Sequence, residues 1–251
     1  MGIDILYCVD YYPIINKLTA REKPREDQLM ANGNTIYNGP SQLNGNAIKS
    51  VITGTKTKSA NVKTGDMAQM WIMVAEERPT DAAKTGADSA VCGECPHRPL
   101  LAKINGVAPC YVNLGQAPNG VYKSEYPNGV PTIKKPLRLG AYGEPTALPF
   151  ELVRDAVNNA DGHTGYTHQW RTCDSRFKTL LMASVDSIEE QIEAQAQGWR
   201  TFRVRKETDA LIDGEIQCPA SKWGGFKTNC AKCGLCAGTS RDAKSVSEVE
   251  H

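Results

Sequence analysis

Seven of the chain's nine cysteines fall into two groups, and their spacing is that of ligands rather than of core residues. The later group lies in CPASKWGGFKTNCAKCGLC and has the pattern C-x11-C-x2-C-x2-C, formed by Cys218, Cys230, Cys233 and Cys236. Three thiolates at two-residue intervals on a glycine-containing loop can converge on one face of a 4Fe-4S cubane, with a more distant cysteine as the fourth ligand. The same four thiols could close a tetrahedral zinc site, although structural zinc more often uses two facing C-x2-C knuckles, and unligated redox thiols are the third reading. Lys227, Asn229 and Lys232, interleaved among the cysteines, do not suit a purely apolar core.

The earlier group is CGECPHRPLLAKINGVAPC, or C-x2-C-x14-C, formed by Cys92, Cys95 and Cys110. Three thiols leave a metal one ligand short. His97, Cys173 or a non-protein molecule could supply the fourth, or the position could stay open for chemistry, as catalytic metal sites do. Three further features belong with these groups. Gly143 and Glu144 precede Pro145 after the strand-like LRLGA, where the ends of parallel strands collect ligand-binding residues; a plain Gly-Pro turn is the alternative. His168 in TGYTHQW is a candidate base or ligand, weighed against a hydrogen-bonded structural histidine. Asp186 follows LLMASV and reads most simply as a helix cap. Glu144 and His168 are thus the catalytic candidates.

To bring these residues together the chain must alternate strands and helices. Leu137 to Ala141, Gly165 to Trp170, Leu180 to Val185 and Trp199 to Arg205 read as strands, the last with its arginines toward solvent. Helical spacing runs over 148–159, and over 187–197 with Ile188, Ile192 and Ala196 on one face, capped by Asp186 or Ser187. Repeated βα units predict an α/β fold with parallel strands, either a partial or a full TIM-like β/α barrel, with metal-binding cysteine-rich loops on its rim. Before it, residues 1–66 read as a loop-rich segment with short strands, of which AIKSVIT is one; residues 67–251 form the barrel-like domain. Met67 to Ala75 is a buried apolar element, and Thr80 is an N-cap candidate for a short helix after it.

The balance of 29 basic against 28 acidic residues gives a formal charge of +1 and no broad field for steering nucleic acid or anionic lipid. No apolar run has the length of a membrane span, and MGIDILYCVDYYPIINK has no signal-peptide pattern. The expectation is a cytoplasmic protein, in which clustered thiols serve metal or redox chemistry rather than disulfides. Walker A, G-x-G-x-x-G, H-E-x-x-H and G-x-S-x-G motifs do not occur.

The order KTGDMAQMWIM, CGECPHR, CYVNLGQAP, LRLGAYGEP, TGYTHQWR, MASVDS, GWRTFRV and CPAS with C-x2-C-x2-C-G, over roughly residues 45–251, resembles a group of uncharacterised tailed-bacteriophage proteins. The plan of a three-cysteine group, a strand ending in Gly-Glu-Pro, further βα units and a C-terminal cluster resembles radical SAM enzymes with an auxiliary cluster. That resemblance implies an open 4Fe-4S cluster on Cys92, Cys95 and Cys110, and S-adenosylmethionine held by Gly143 and Glu144. Two departures stand against it: the family spacing is C-x3-C-x2-C, and Tyr142 replaces the first glycine of the GGE-type loop. The competing class is a non-enzymatic module, stapled by zinc or Fe-S, that binds nucleic acid or a host protein.

Overall fold

The structure is a computed structural model that describes residues 32–250; Cys8 and the N-terminal stretch read above for export signals lie outside the described residues. It is a mixed α/β protein with two five-stranded sheets. The first has the order β1 (Gly33–Pro40), β2 (Ala47–Thr53), β3 (Ala68–Val74), β4 (Leu137–Tyr142), β5 (His163–Thr164). Its first three strands are antiparallel, and β3, β4 and β5 are parallel. The second has the order β6 (Tyr166–Thr167), β7 (Met182–Val185), β8 (Thr201–Arg205), β10 (Ser245–Val249), β9 (Glu215–Gln217), all parallel.

One run of chain, His163–Thr167, serves both sheets and is broken only at Gly165. A side chain there would collide with Leu181 and Leu139, its Cβ lying 2.5 and 2.9 Å from their atoms, so the residue must be glycine. The freed backbone groups are used elsewhere: the Gly165 N–H donates to the Cys236 carbonyl at 2.9 Å, and the Gly165 carbonyl accepts from Met182 N–H at 3.0 Å. The parallel strands β3, β4, β5/β6, β7 and β8 therefore lie side by side in chain order. Among the described residues no pairing joins β1 to β9, so the full barrel among the expectations is replaced by two open sheets.

The helices are short: α1 (Pro79–Thr85), α2 (Ser89–Cys92), α3 (Pro99–Asn105), α4 (Ala117–Lys123), α5 (Phe150–Asn158), α6 (Ile188–Ala196) and α7 (Cys230–Cys233). Alternation buries Leu137, Leu139 and Ala141 on β4, and each leucine contributes about 1.5–3 kcal/mol through burial. Strands β1 and β2 extend the sheet of β3, so residues 33–53 share its core with the rest of the molecule. A second, smaller core joins Met182, Ala220 and Val246 to Cys218 and Cys236.

Four local expectations are corrected. Thr80 is not the cap of α1: Arg78 holds that position and Pro79 opens the helix, where a missing N–H costs nothing. Helix α6 turns Ile188 and Ile192 outward, 41% and 60% exposed, and buries Gln191 and Ala194 against the sheet. The strand expected over 165–170 ends at Thr167, because the His168 N–H turns to a carboxylate oxygen of Glu144. Arg203 on β8 points inward and forms a buried bidentate pair with Glu215, Nε to Oε1 at 2.8 Å and Nη2 to Oε2 at 2.7 Å. No helix among the described residues is long and apolar enough to cross a membrane.

Candidate functional site

Cys92, Cys95 and Cys110 follow β3, the first strand of the parallel series. Cys92 ends α2, and a tight turn carries the Cys95 N–H back to the Cys92 carbonyl at 3.1 Å. Two buried side chains fix this turn. Arg98 donates to Asp88 at 2.6 Å and to the Gly93 carbonyl at 2.9 Å. Gln169 accepts from the Glu94 N–H at 3.3 Å and donates to the Cys92 carbonyl at 3.3 Å.

The fourteen residues between Cys95 and Cys110 form a helical excursion closed at its neck. Helix α3 goes out, and the Cys110 N–H returns to the His97 carbonyl at 2.8 Å while His97 Nδ1 meets the Ala108 carbonyl at 2.8 Å. Cys110 is thereby brought back beside Cys92 and Cys95, which explains how so long a spacing can still serve one site. Burial pushes the Cys92 thiol well up, with Cys95, Asp88, Glu144 and Cys110 adding to the rise. Cys110 is an exposed residue whose sulfur is nonetheless turned away from water, and that desolvation raises its thiol, with Cys95 adding to the rise.

Glu144 follows β4, the next strand. Gly143 before it has φ of 84°, and a Cβ there would sit 2.6 Å from the Ile72 carbonyl oxygen. The left-handed turn and this close approach both require glycine. Glu144 is buried. One carboxylate oxygen accepts the His168 N–H at 3.0 Å, and the other, Oε2, is buried with no hydrogen-bond partner. Tyr142 is also buried, and that burial, with Cys92 and Asp88 nearby, pushes its hydroxyl far above the ordinary range.

His168 and Asp186 follow the next two strand ends and meet His97. His97 Nε2 lies 3.5 Å from Asp186 Oδ1, His168 Nε2 lies 3.9 Å from Asp186 Oδ2, and the two imidazoles stand edge to face at 5.6 Å. The hydrogen bond to Asp186 raises the pKa of His97. Burial would lower that of His168, but contacts with Cys95 and Glu144 outweigh it and hold it well above the ordinary value. Burial would raise the Asp186 carboxyl, yet the two histidines keep it low. Asp186 is free for this role because Ser187, not Asp186, caps α6, its hydroxyl accepting from the Glu190 N–H at 3.1 Å. Glu190 in turn accepts from the Asp186 N–H at 2.9 Å, one residue before the cap. Sequence reasoning assigned Asp186 to capping and His97 only to a reserve ligand, and no local pattern links positions 97, 168 and 186.

The second group lies at the other sheet. Cys218, Cys230, Cys233 and Cys236 all line one cavity of ≈ 40 Å³, walled by Tyr166, Phe202 and Val246 among others. Cys218 follows β9, and its N–H is fixed to the Ser247 carbonyl of β10 at 2.8 Å. Asn229 caps α7 and so orients Cys230 and Cys233. The loop before β3 forms a wall, since the Cys230 and Ala231 N–H groups donate to the Lys63 and Thr64 carbonyls, each at 2.9 Å. Arg200 fixes the segment around Cys236 by donating to the Leu235 and Gly238 carbonyls, both at 2.8 Å, and to Lys244 at 2.5 Å. Burial pushes Cys218 and Cys236 up to about 12.

Cys173 lines a cleft of ≈ 630 Å³ that also includes Gly93 and Glu94 of the Cys92–Cys95 turn, and burial, with Glu144 adding to it, pushes its thiol to about 12. Comparison with known protein families, with characterised proteins and with solved structures returns no match.

Proposed function

We propose that the chain is an iron-sulfur enzyme of radical SAM type, built on a partial β/α barrel with cysteine-rich loops at one rim. One observation carries this reading: the three-thiol group and the buried, half-satisfied Glu144 carboxylate follow adjacent parallel strands, and Glu144 lies near enough to Cys92 for its charge to raise that thiol. The donor set fits. Cys92, Cys95 and Cys110 would hold three irons of a 4Fe-4S cluster, leaving the fourth without a protein thiolate. Such a cluster, once bound and reduced, supplies a single electron to a ligand on its free iron.

The chain's own residues account for the rest. Glu144 Oε2 offers an acceptor for the ammonium of S-adenosylmethionine, and the His168 N–H on Oε1 fixes the carboxylate while that acceptor stays free. Gly143 supplies the turn that directs Glu144 inward. Tyr142, in place of a first glycine, fills its position with a buried ring, so the amino-acid end of the ligand has to rely on Glu144 rather than on a second backbone approach. Arg98 and Gln169 hold the Cys92–Cys95 turn.

The C-terminal group supplies four thiols and no vacancy, which suits a closed 4Fe-4S cluster that staples the second sheet; zinc is the competing occupant. Protein purified without oxygen tests both parts. Iron and acid-labile sulfide with a brown colour are expected, and S-adenosylmethionine should alter the electron paramagnetic resonance signal of the reduced protein. Zinc in place of iron and sulfide at both sites would hand the function to a metal-stapled binding module. Iron and sulfide with a signal indifferent to S-adenosylmethionine would keep the clusters and remove the enzyme.

A further inference from the structure

The hydrogen-bonding needs of His97, His168 and Asp186 leave a gap in their midst. Ala108 offers a carbonyl oxygen to His97 Nδ1 at 2.8 Å, and a carbonyl can only accept. Nδ1 therefore carries the hydrogen, and neutral His97 presents a lone pair from Nε2 to the Asp186 carboxylate 3.5 Å away. His168 repeats the pattern. Its Nδ1 faces Glu144 Oε1 at 3.5 Å, and its buried Nε2 has no hydrogen-bond partner while facing the other oxygen of Asp186 at 3.9 Å. In these neutral forms two lone pairs and a carboxylate converge, and the positive charge between them is supplied either by a metal ion or by protons on both rings.

We propose that His97, His168 and Asp186 form a binding site for a divalent first-row metal ion. One ligand atom from each lies within 4.8 Å of the others. Neighbouring donors at ~2.0–2.2 Å from one ion stand about 3–3.5 Å apart, so closure on the ion asks only for small side-chain rotations. The outer contacts are those that orient metal-binding imidazoles: a backbone carbonyl on His97 and a carboxylate on His168. Two imidazoles and a carboxylate, two of them at strand ends and His97 on the excursion between Cys95 and Cys110, make a facial set that leaves coordination positions open, and this donor set suits iron(II), manganese(II) or zinc. Asp186 and His97 are about one-third and one-quarter exposed, so an ion and a small oxygen ligand can reach the site. The competing occupant is the proton, which would convert both rings to imidazolium.

This site goes beyond the iron-sulfur reading and borders on it, since His168 touches Cys95 and Glu144. Manganese(II) separates them, because imidazole and carboxylate donors accept it and thiolates do not favour it. Free manganese would be followed by electron paramagnetic resonance during titration of the full chain at neutral pH. One manganese per chain is expected, with at least tenfold weaker binding in Asp186→Asn and His168→Gln and less than threefold change in Cys92→Ser, whose thiol belongs to the neighbouring group. Circular dichroism checks folding, and the Ser187 cap should keep Asp186→Asn folded; His97→Gln replaces it if not. The proposal fails if the wild type takes up no stoichiometric manganese or if Asp186→Asn binds as tightly as wild type. It also fails if Cys92→Ser is as damaging as Asp186→Asn, since the ion would then belong to the thiol group.

Discussion

Replacing Arg203 with Met should be among the most damaging single changes outside the cysteines. The guanidinium makes two charged hydrogen bonds to Glu215 and a third contact to the Ala210 carbonyl at 3.1 Å, and the paired side chains are 3% and 0% exposed. Without it, Glu215 keeps only neutral donors, the Ile212 N–H at 3.1 Å and the Gln191 side chain, for a carboxylate with no access to water. Stranding one member of a buried pair costs about 3–5 kcal/mol. In a chain of this size that corresponds to a fall in melting temperature of roughly 6–20 °C. The double variant Arg203→Met/Glu215→Leu removes both charges and should recover most of the loss, because burying an ion pair confers little net stability over apolar residues of similar volume. Urea unfolding followed by tryptophan fluorescence and circular dichroism would measure the cycle. A cost below ~1 kcal/mol for the single variant, or a double variant as unstable as the two singles combined, would refute the reasoning. Acid adds a check. Burial would raise the Glu215 carboxyl, but Arg203 outweighs it and holds the folded pKa below the ordinary value. The pair's contribution is therefore complete above ~4.3, the unfolded value, and is lost as pH falls through the folded pKa.

Other substitutions read different parts of the molecule. Gly143→Ala should cost about 1–3 kcal/mol, since the turn at φ of 84° and the contact with Ile72 both disfavour a Cβ, and S-adenosylmethionine should lose its effect on the resonance spectrum. Burial lowers the pKa of His163, whose Nε2 meets the Leu180 carbonyl at 2.9 Å. Its contribution is full above ~6.5 and falls as pH drops below that value, so the change in urea midpoint from pH ~7.5 to ~5.5 should be less unfavourable in His163→Gln than in wild type, the raised His97 and His168 titrating equally in both. Cys233→Ser should lower folding stability of the metal-loaded protein, measured by thermal unfolding, because metal binding energy is partly folding energy. Arg200→Met should reduce iron retained per chain after gel filtration by freeing the carbonyls on either side of Cys236.

Period and punctuation made much of the framework readable. The apolar runs that became β2, β3, β4, β7 and β8 are short and dense, and Gly198 marks the turn after α6. The polar strands were not readable: SVSEV forms β10 although it alternates serine with valine and glutamate, and its place is set by pairing with β8 and β9. The wrong face of α6 has a related origin. A helix lying close on a sheet can bury small Ala194 and flat Gln191 and leave the bulkier isoleucines outside, so hydrophobicity misreports its orientation. The spacing of both cysteine groups is local and so readable, and the four later thiols do line one cavity. The approach of His97 to the strand-end residues His168 and Asp186 was not readable, because the excursion between Cys95 and Cys110 carries it there.

Strand β10 is made after β9 yet lies between β9 and β8. During synthesis β9 can find no permanent neighbour until residues 245–249 have appeared, and a chain growing at roughly 5–20 residues per second spends a few seconds in that state. Cys218 leaves directly from β9 and is fastened to Ser247, so the four-thiol cage is unfinished for the whole interval. The first cysteine group needs nothing from that stretch and can assemble earlier. The order of strands thus imposes a timetable on the two thiol groups, in which the one beside Glu144 can form on the nascent chain and the C-terminal one closes only once β10 has been inserted.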